Sequence, residues 1–185
     1  MTELAEEMYE KGYVKGTEIG NGHAFWGWLV PHCMNNGLAP ISNSDGHASM
    51  AERFYPYYND GAYRNMTLIL AEECTEASLH KALKEGNTIA YCNNNLIGRE
   101  PLLKALFDAS VSFELQRTGS REHYITVRNN SSLPYYIQVG GSKYIVNAQG
   151  AFSFKRSNKE EKAKVTILNM WYGNEEHPSF EVSWK

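Results

Sequence analysis

The spacing of apolar residues changes along the chain. Up to about residue 115, helical and strand periodicities alternate; beyond it, nearly everything reads as strand and turn. Leu4 and Met8, four apart, predict a short helix over 3–11, with Thr2 as its N-cap and Gly12 as its stop. A strand over 13–19 follows. Phe25, Trp28, Leu29 and His32 fall at i, i+3, i+4 and i+7, which predicts one face of a helix over 24–35. Pro31 should kink or split that helix, because it lacks a backbone donor and clashes one turn back. Asn36-Gly37 suits its C-terminal cap.

A strand over 38–43 runs into Ser44-Asp45-Gly46-His47. Residues 50–65 form a long Tyr- and Asn-rich loop. A short apolar strand over 66–71, a helix over 75–85 with Leu79, Ala82 and Leu83 inward, and a strand over 88–92 come next. Pro101 opens a further helix that buries Leu102, Leu103, Leu106 and Phe107. Six strands are then expected, over 124–129, 135–139, 143–147, 151–155, 165–171 and 180–184, separated by Asn-, Gly- and Ser-rich turns. The expected organisation is an α/β part over 1–112 followed by an all-β, small antiparallel β-sandwich over 113–185.

Composition narrows the function classes. With 42% hydrophobic residues, 12% aromatic residues and a net charge of −3, the chain is not disordered as a whole. Nor is there an electrostatic reason to expect nucleic acid or an anionic membrane as partner. No apolar run approaches the roughly 18–20 residues of a membrane span. Cys33, Cys74 and Cys92 are isolated, which suits reduced thiols rather than a zinc site or disulfide framework. The acidic N-terminal residues do not read as a signal peptide. There is no P-loop, G-x-G-x-x-G or G-x-S-x-G signature.

Ser44-Asp45-Gly46-His47 carries the most pointed chemistry. In an extended segment Asp45 and His47 project to one side, beyond the carboxyl end of a strand, where α/β architectures build sites. A carboxylate beside an imidazole suits Zn, Mn or Fe. The plain alternative is an Asx-type turn beside a surface histidine.

The wider order of motifs resembles a known family. Ile41 to His47, the strand Met66 to Ala71, and the helix-and-strand run Leu79 to Tyr91 follow the C-terminal part of the PHP (polymerase and histidinol phosphatase) metal-dependent phosphoesterases. That family ends its barrel with a Ser-Asp-x-His segment, a strand starting on Thr, and a stretch of the form L-x-x-A-L-x-x-G-x-T-x-A-Y. Asn95 to Phe107 and Asn129 to Pro134 are similar to a phosphodiesterase branch common in bacteria such as the Bacteroidetes, which carries a β-rich tail. The resemblance covers roughly residues 13–140.

It implies a partial PHP-type (β/α)7 barrel, divalent metal ions at its mouth, and attack of metal-activated water on a small phosphate ester. By resemblance, Asp45 and His47 are metal ligands. The family's early H-x-H segment has no counterpart here. The expectation is therefore a C-terminal portion, inactive alone, that needs its N-terminal half or a second copy of itself to cover open edges. An export signal would be lost with a missing N-terminus, so cytoplasmic and periplasmic or secreted locations stay open.

Further candidates are weaker. Glu18 and His23 flank the first strand's end and suit a supporting role; Arg53 and Arg64 suit either a phosphate fork or ordinary surface charge. His32 reads as a core-edge histidine and His80 as a solvated one. Tyr55, Tyr57, Tyr58 and Tyr63 suit a stacking shelf or loop packing, and Phe25, Trp26 and Trp28 a core or a subunit contact. The rival functions are a non-catalytic interaction or carbohydrate-recognition module using the β-sandwich, and a structural homo-oligomer.

Overall fold

A computed structural model describes residues 3–22, 24–49, 64–174 and 176–184. The chain divides into two compact units: Met1–Leu102 with Trp171–Glu176, and Leu103–Met170 with His177–Lys185.

In the first unit α1 (Glu3–Glu10) ends at Gly12, whose φ of +66° takes the left-handed conformation of a helix stop. Then come β1 (Gly16–Asn21), β2 (Ala24–Phe25), α2 (Leu29–Asn35) and β3 (Ala39–Asn43). β1 and β3 pair in parallel, with Glu18 opposite Ile41 and Asn21 opposite Asn43, and the register slips at Ile19. Since parallel partners need a crossover, α2 supplies it. β2 folds back antiparallel on β1, with Gly20 opposite Phe25.

The expected helix over 24–35 is therefore wrong in its first half. Phe25 pairs as a strand residue, and Gly27-Trp28 separates it from α2. That break leaves Pro31 at the third position of α2, within the first turn, where backbone N–H groups have no intrahelical partner anyway. The strand expected over 13–19 likewise begins later and runs to Asn21.

β4 (Met66–Ile69), α3 (Glu76–Lys84), β5 (Thr88–Cys92) and β6 (Asn95–Gly98) follow. β4, β5 and β6 form an antiparallel meander. Thr75 caps α3, its Oγ1 accepting from the Ser78 N–H at 3.3 Å. Ala82 is buried as expected, but Leu83 is 37% exposed instead of inward. The buried centre of this unit is Ile19, Val30, Cys33, Leu38, Ala90, Cys92 and Ile97, with Tyr9, Phe25, Leu29 and Trp171 packed on it.

α4 (Glu100–Ser110) buries Leu103 and Phe107, and from Leu103 on it belongs to the second unit. This holds β7 (Val111–Thr118), β8 (Glu122–Asn129), β9 (Tyr135–Val139), β10 (Ser142–Val146), β11 (Ala151–Ser157), β12 (Lys162–Ile167) and β14 (Ser179–Ser183), while β13 (Met170–Trp171) lies at the boundary. The sheets run β11–β8–β7 and β10–β9–β12–β14, all antiparallel. Alternate residues Ile125 and Val127 of one, and Tyr135, Ile137 and Val165 of the other, are fully buried. Phe107 meets Phe113 of the first sheet at 6.5 Å, and Tyr135 and Phe180 of the second at 5.4 and 6.0 Å. The strand expected over 165–171 is broken at Leu168-Asn169, because Asn169 turns its buried amide onto the chain. Its Oδ1 accepts from Tyr136 N at 2.9 Å and its Nδ2 donates to Pro134 O at 3.0 Å.

Over the described residues the chain is thus β-rich, with four mostly antiparallel sheets and no closed barrel, and the second unit is not all-β as expected, because it also holds Leu103–Ser110 of α4. No described helix is long and apolar enough to cross a membrane.

Candidate functional site

The carboxyl ends of the parallel strands β1 and β3 carry the polar cluster of the first unit. β3 ends at Asn43, and its carbonyl accepts from Gly22 N at 3.0 Å, closing the β1–β2 turn over the strand end. Asp45 then takes a φ of +49°. It is this left-handed residue, rather than a continued extended strand, that turns the side chains of Asp45 and His47 together. His47 Nε2 lies 3.0 Å from Asp45 Oδ1, with the His47 side chain 80% and the Asp45 side chain 49% exposed.

Donors about 2.0–2.1 Å from a tetrahedral ion stand roughly 3.3 Å apart, so the pair has nearly the separation of two metal ligands. It is not a complete donor set. Zinc takes about four ligands and harder ions about six or more. No three His, Cys, Asp or Glu side chains among the described residues come together as a metal site. The described residues therefore do not make up a complete metal centre.

Glu18 is engaged otherwise. Asn43 Nδ2 donates to its Oε1 at 2.6 Å, and Asn21 Nδ2 lies 3.2 Å from both carboxylate oxygens. Two amides from the ends of two strands thus clamp one carboxylate. Neither Asn21 nor Asn43 stands out in sequence as a functional residue. The only available signal is that a half-buried carboxylate needs donors, and which donors it meets depends on the slip at Ile19.

Ser42, one residue earlier, is 1% exposed. Thr67 Oγ1 accepts from its N–H at 3.0 Å and donates to its carbonyl at 2.9 Å. Among the described residues no backbone ladder joins β3 to β4, and this hydroxyl joins them instead.

Arg64 is exposed just before β4, next to Asn65. The Asn65 amide is buried; its Oδ1 accepts from Asn93 N at 3.2 Å. His23, Arg53 and the tyrosines at 55, 57, 58 and 63 lie outside the described residues. His32 is half-buried, edge-on to Tyr9 at 5.6 Å between ring centres, and His80 is exposed. The cysteines are free. Cys33 is buried and donates to Leu38 O at 3.2 Å, and burial pushes its thiol pKa up to about 12. Burial also raises the Cys92 thiol, whose Sγ donates to Ala24 O at 3.4 Å. Neither is a nucleophile at neutral pH.

No family model and no curated protein matches the sequence. Among solved structures, the chain superposes on a crystal structure from Bacteroides vulgatus ATCC 8482, of a two-domain protein containing a predicted PHP-like metal-dependent phosphoesterase. The match has a TM-score of 0.87 at 20% identity, over 99% of this chain and 56% of that one. The chain therefore has the fold of just over half of that protein.

Proposed function

We propose that the first unit is the C-terminal part of a PHP-like metal-dependent phosphoesterase, a partial barrel whose second unit is the β-sandwich tail. In this reading Asp45 and His47 are two ligands of a divalent centre of Zn, Mn or Fe. The remaining donors come from outside the described residues, from further polypeptide or a second copy of the chain. The substrate class is a small phosphate ester, and Arg53 and Arg64 are its candidate phosphate forks. Without the other donors the chain is inactive alone.

The observation that carries this reading is the 3.0 Å meeting of Asp45 and His47 beyond the carboxyl end of a parallel strand. The fold likeness supports it without assigning the activity.

Metal titration tests it. Wild-type protein should take up zinc or manganese weakly, at about one ion per chain, since two protein donors leave most of the shell to water. Asp45→Ala and His47→Ala should each abolish that uptake. Equal uptake by all three proteins would remove both residues from the metal site.

A further inference from the structure

We propose that an aromatic cleft in the first unit, built by Phe25, Trp28 and Trp171, binds the ring of a neutral sugar. The cleft has a volume of about 340 Å3 and is lined, among the described residues, by Phe25, Gly27, Trp28, Trp171 and Asn174. That is the small end of the range for ligand pockets, suited to a single ring.

Trp28 is 74% exposed, whereas Trp184 is 6% exposed and Trp26 and Trp171 are half-buried. An open indole at the rim of a cleft forgoes the burial that usually stabilises tryptophan, which calls for an occupant. The opposite wall is fixed. Trp171 Nε1 donates to Asn95 Oδ1 at 2.9 Å, and Trp171 and Phe25 both pack against the buried cluster around Ile19 and Cys92. Gly27 lines the cleft beside Phe25, and a Cβ there would crowd that ring, standing 3.3 Å from Phe25 Cε1.

The chemistry of the lining selects the ligand. No described lining side chain is ionisable, so neither an anion nor a cation finds a counter-charge. Recognition falls to ring faces and to the Asn174 amide, which both donates and accepts. A sugar ring matches this, with a C–H face to stack and hydroxyls that can give and take hydrogen bonds. A nucleobase would stack equally well, but its edge needs several matched polar partners, and the described lining offers one amide.

This binding goes beyond the phosphoesterase reading and does not depend on it, since it uses neither Asp45 nor His47. The test is a tryptophan-fluorescence titration of the whole chain with glucose, galactose, mannose and ribose, and separately with adenosine. Wild type should respond saturably to at least one sugar in the millimolar range. Trp28→Ala, checked for folding by circular dichroism, should lose roughly tenfold or more in affinity, as when a stacking ring is truncated. Asp45→Ala should bind as wild type does, whatever becomes of its metal.

Absence of a saturable response to all four sugars overturns the proposal. So does a response to adenosine alone, or unchanged sugar binding in Trp28→Ala. A dimer seen by light scattering and dispersed by Trp28→Ala also overturns it, by making the cleft a subunit contact.

Discussion

The hydroxyl of Thr67 bonds both main-chain groups of Ser42, taking its N–H at 3.0 Å and reaching its carbonyl at 2.9 Å. A side chain here does the work of two ladder hydrogen bonds, three residues before Asp45. Thr67→Val keeps the shape and strands a donor and an acceptor on a residue that is 1% exposed. Stability should fall by about 2–3 kcal/mol in urea unfolding, and Thr67→Ser should recover most of it. A Val variant as stable as wild type would show that the hydroxyl does not hold β4 to β3.

Glu18 poses the opposite case, a charge held by neutral donors. Glu18→Gln removes the charge and turns one amide NH2 toward the amides of Asn21 and Asn43. The loss should be about 1 kcal/mol, since hydrogen bonds to an ionised acceptor are the stronger kind. If Glu18 were instead a free metal ligand, Glu18→Gln would leave stability unchanged and weaken ion uptake, which paired unfolding and metal titrations would separate.

The Asp45–His47 pair was legible in the sequence because it is local. The clamp on Glu18 was not, because it joins residues 25 apart through a parallel register with a slip at Ile19. Helical spacing misassigned Phe25, since i, i+3, i+4 and i+7 are satisfied equally by a strand end, a break at Gly27 and a following helix. β8 and β9 alternate cleanly and read directly, whereas β6 and β7 are not among the expected strands. For β6 a signal existed: Asn93 and Asn94 both hold positive φ, at +49° and +63°, as a two-residue hairpin turn favouring Asn requires. The break at Asn169 depends on carbonyl and amide groups of 134 and 136, beyond any local pattern.

Asn169→Ala should accordingly destabilise the second unit. It leaves Tyr136 N–H and Pro134 C=O without their partner and a small void at a site 2% exposed. A loss of about 2–3 kcal/mol is expected. Asn169→Asp keeps the acceptor for Tyr136 but buries a charge with its second oxygen against Pro134 O, so it should destabilise at least as much as Asn169→Ala. Amide exchange at Tyr136 that does not quicken in Asn169→Ala would rule out this role.

Cys33 makes stability fall in alkaline solution. Its folded pKa of about 12 exceeds the ordinary thiol value of about 8.5. Below about pH 8.5 both states keep the proton and the contribution is complete; as pH rises toward 12 the unfolded chain ionises first, binds fewer protons, and is favoured. Urea midpoints measured from pH 7 to 10.5 should fall more steeply for wild type than for Cys33→Ala, even though the variant starts lower through its cavity. Parallel slopes would mean that Cys33 titrates normally in the folded chain. Under native conditions at pH 8, a thiol reagent should modify exposed Cys74 and spare Cys33 and Cys92.

Asp45 separates chemistry from folding most sharply. Its φ of +49° disfavours any residue with a Cβ by about 1 kcal/mol, and Asp tolerates it better than most. Its contact with a His47 side chain that is 80% exposed contributes about 0–1 kcal/mol. These nearly cancel, so the fold gains little from Asp at this position. Asp45→Gly should be as stable as wild type or slightly more so, and Asp45→Ala slightly less, by thermal unfolding. Both should lose divalent-ion uptake equally. That combination marks a side chain kept for what it binds. Were Asp45→Gly destabilised by more than about 1 kcal/mol, the carboxylate would be holding the turn, as in an Asx motif, and the ligand role would lose its main support.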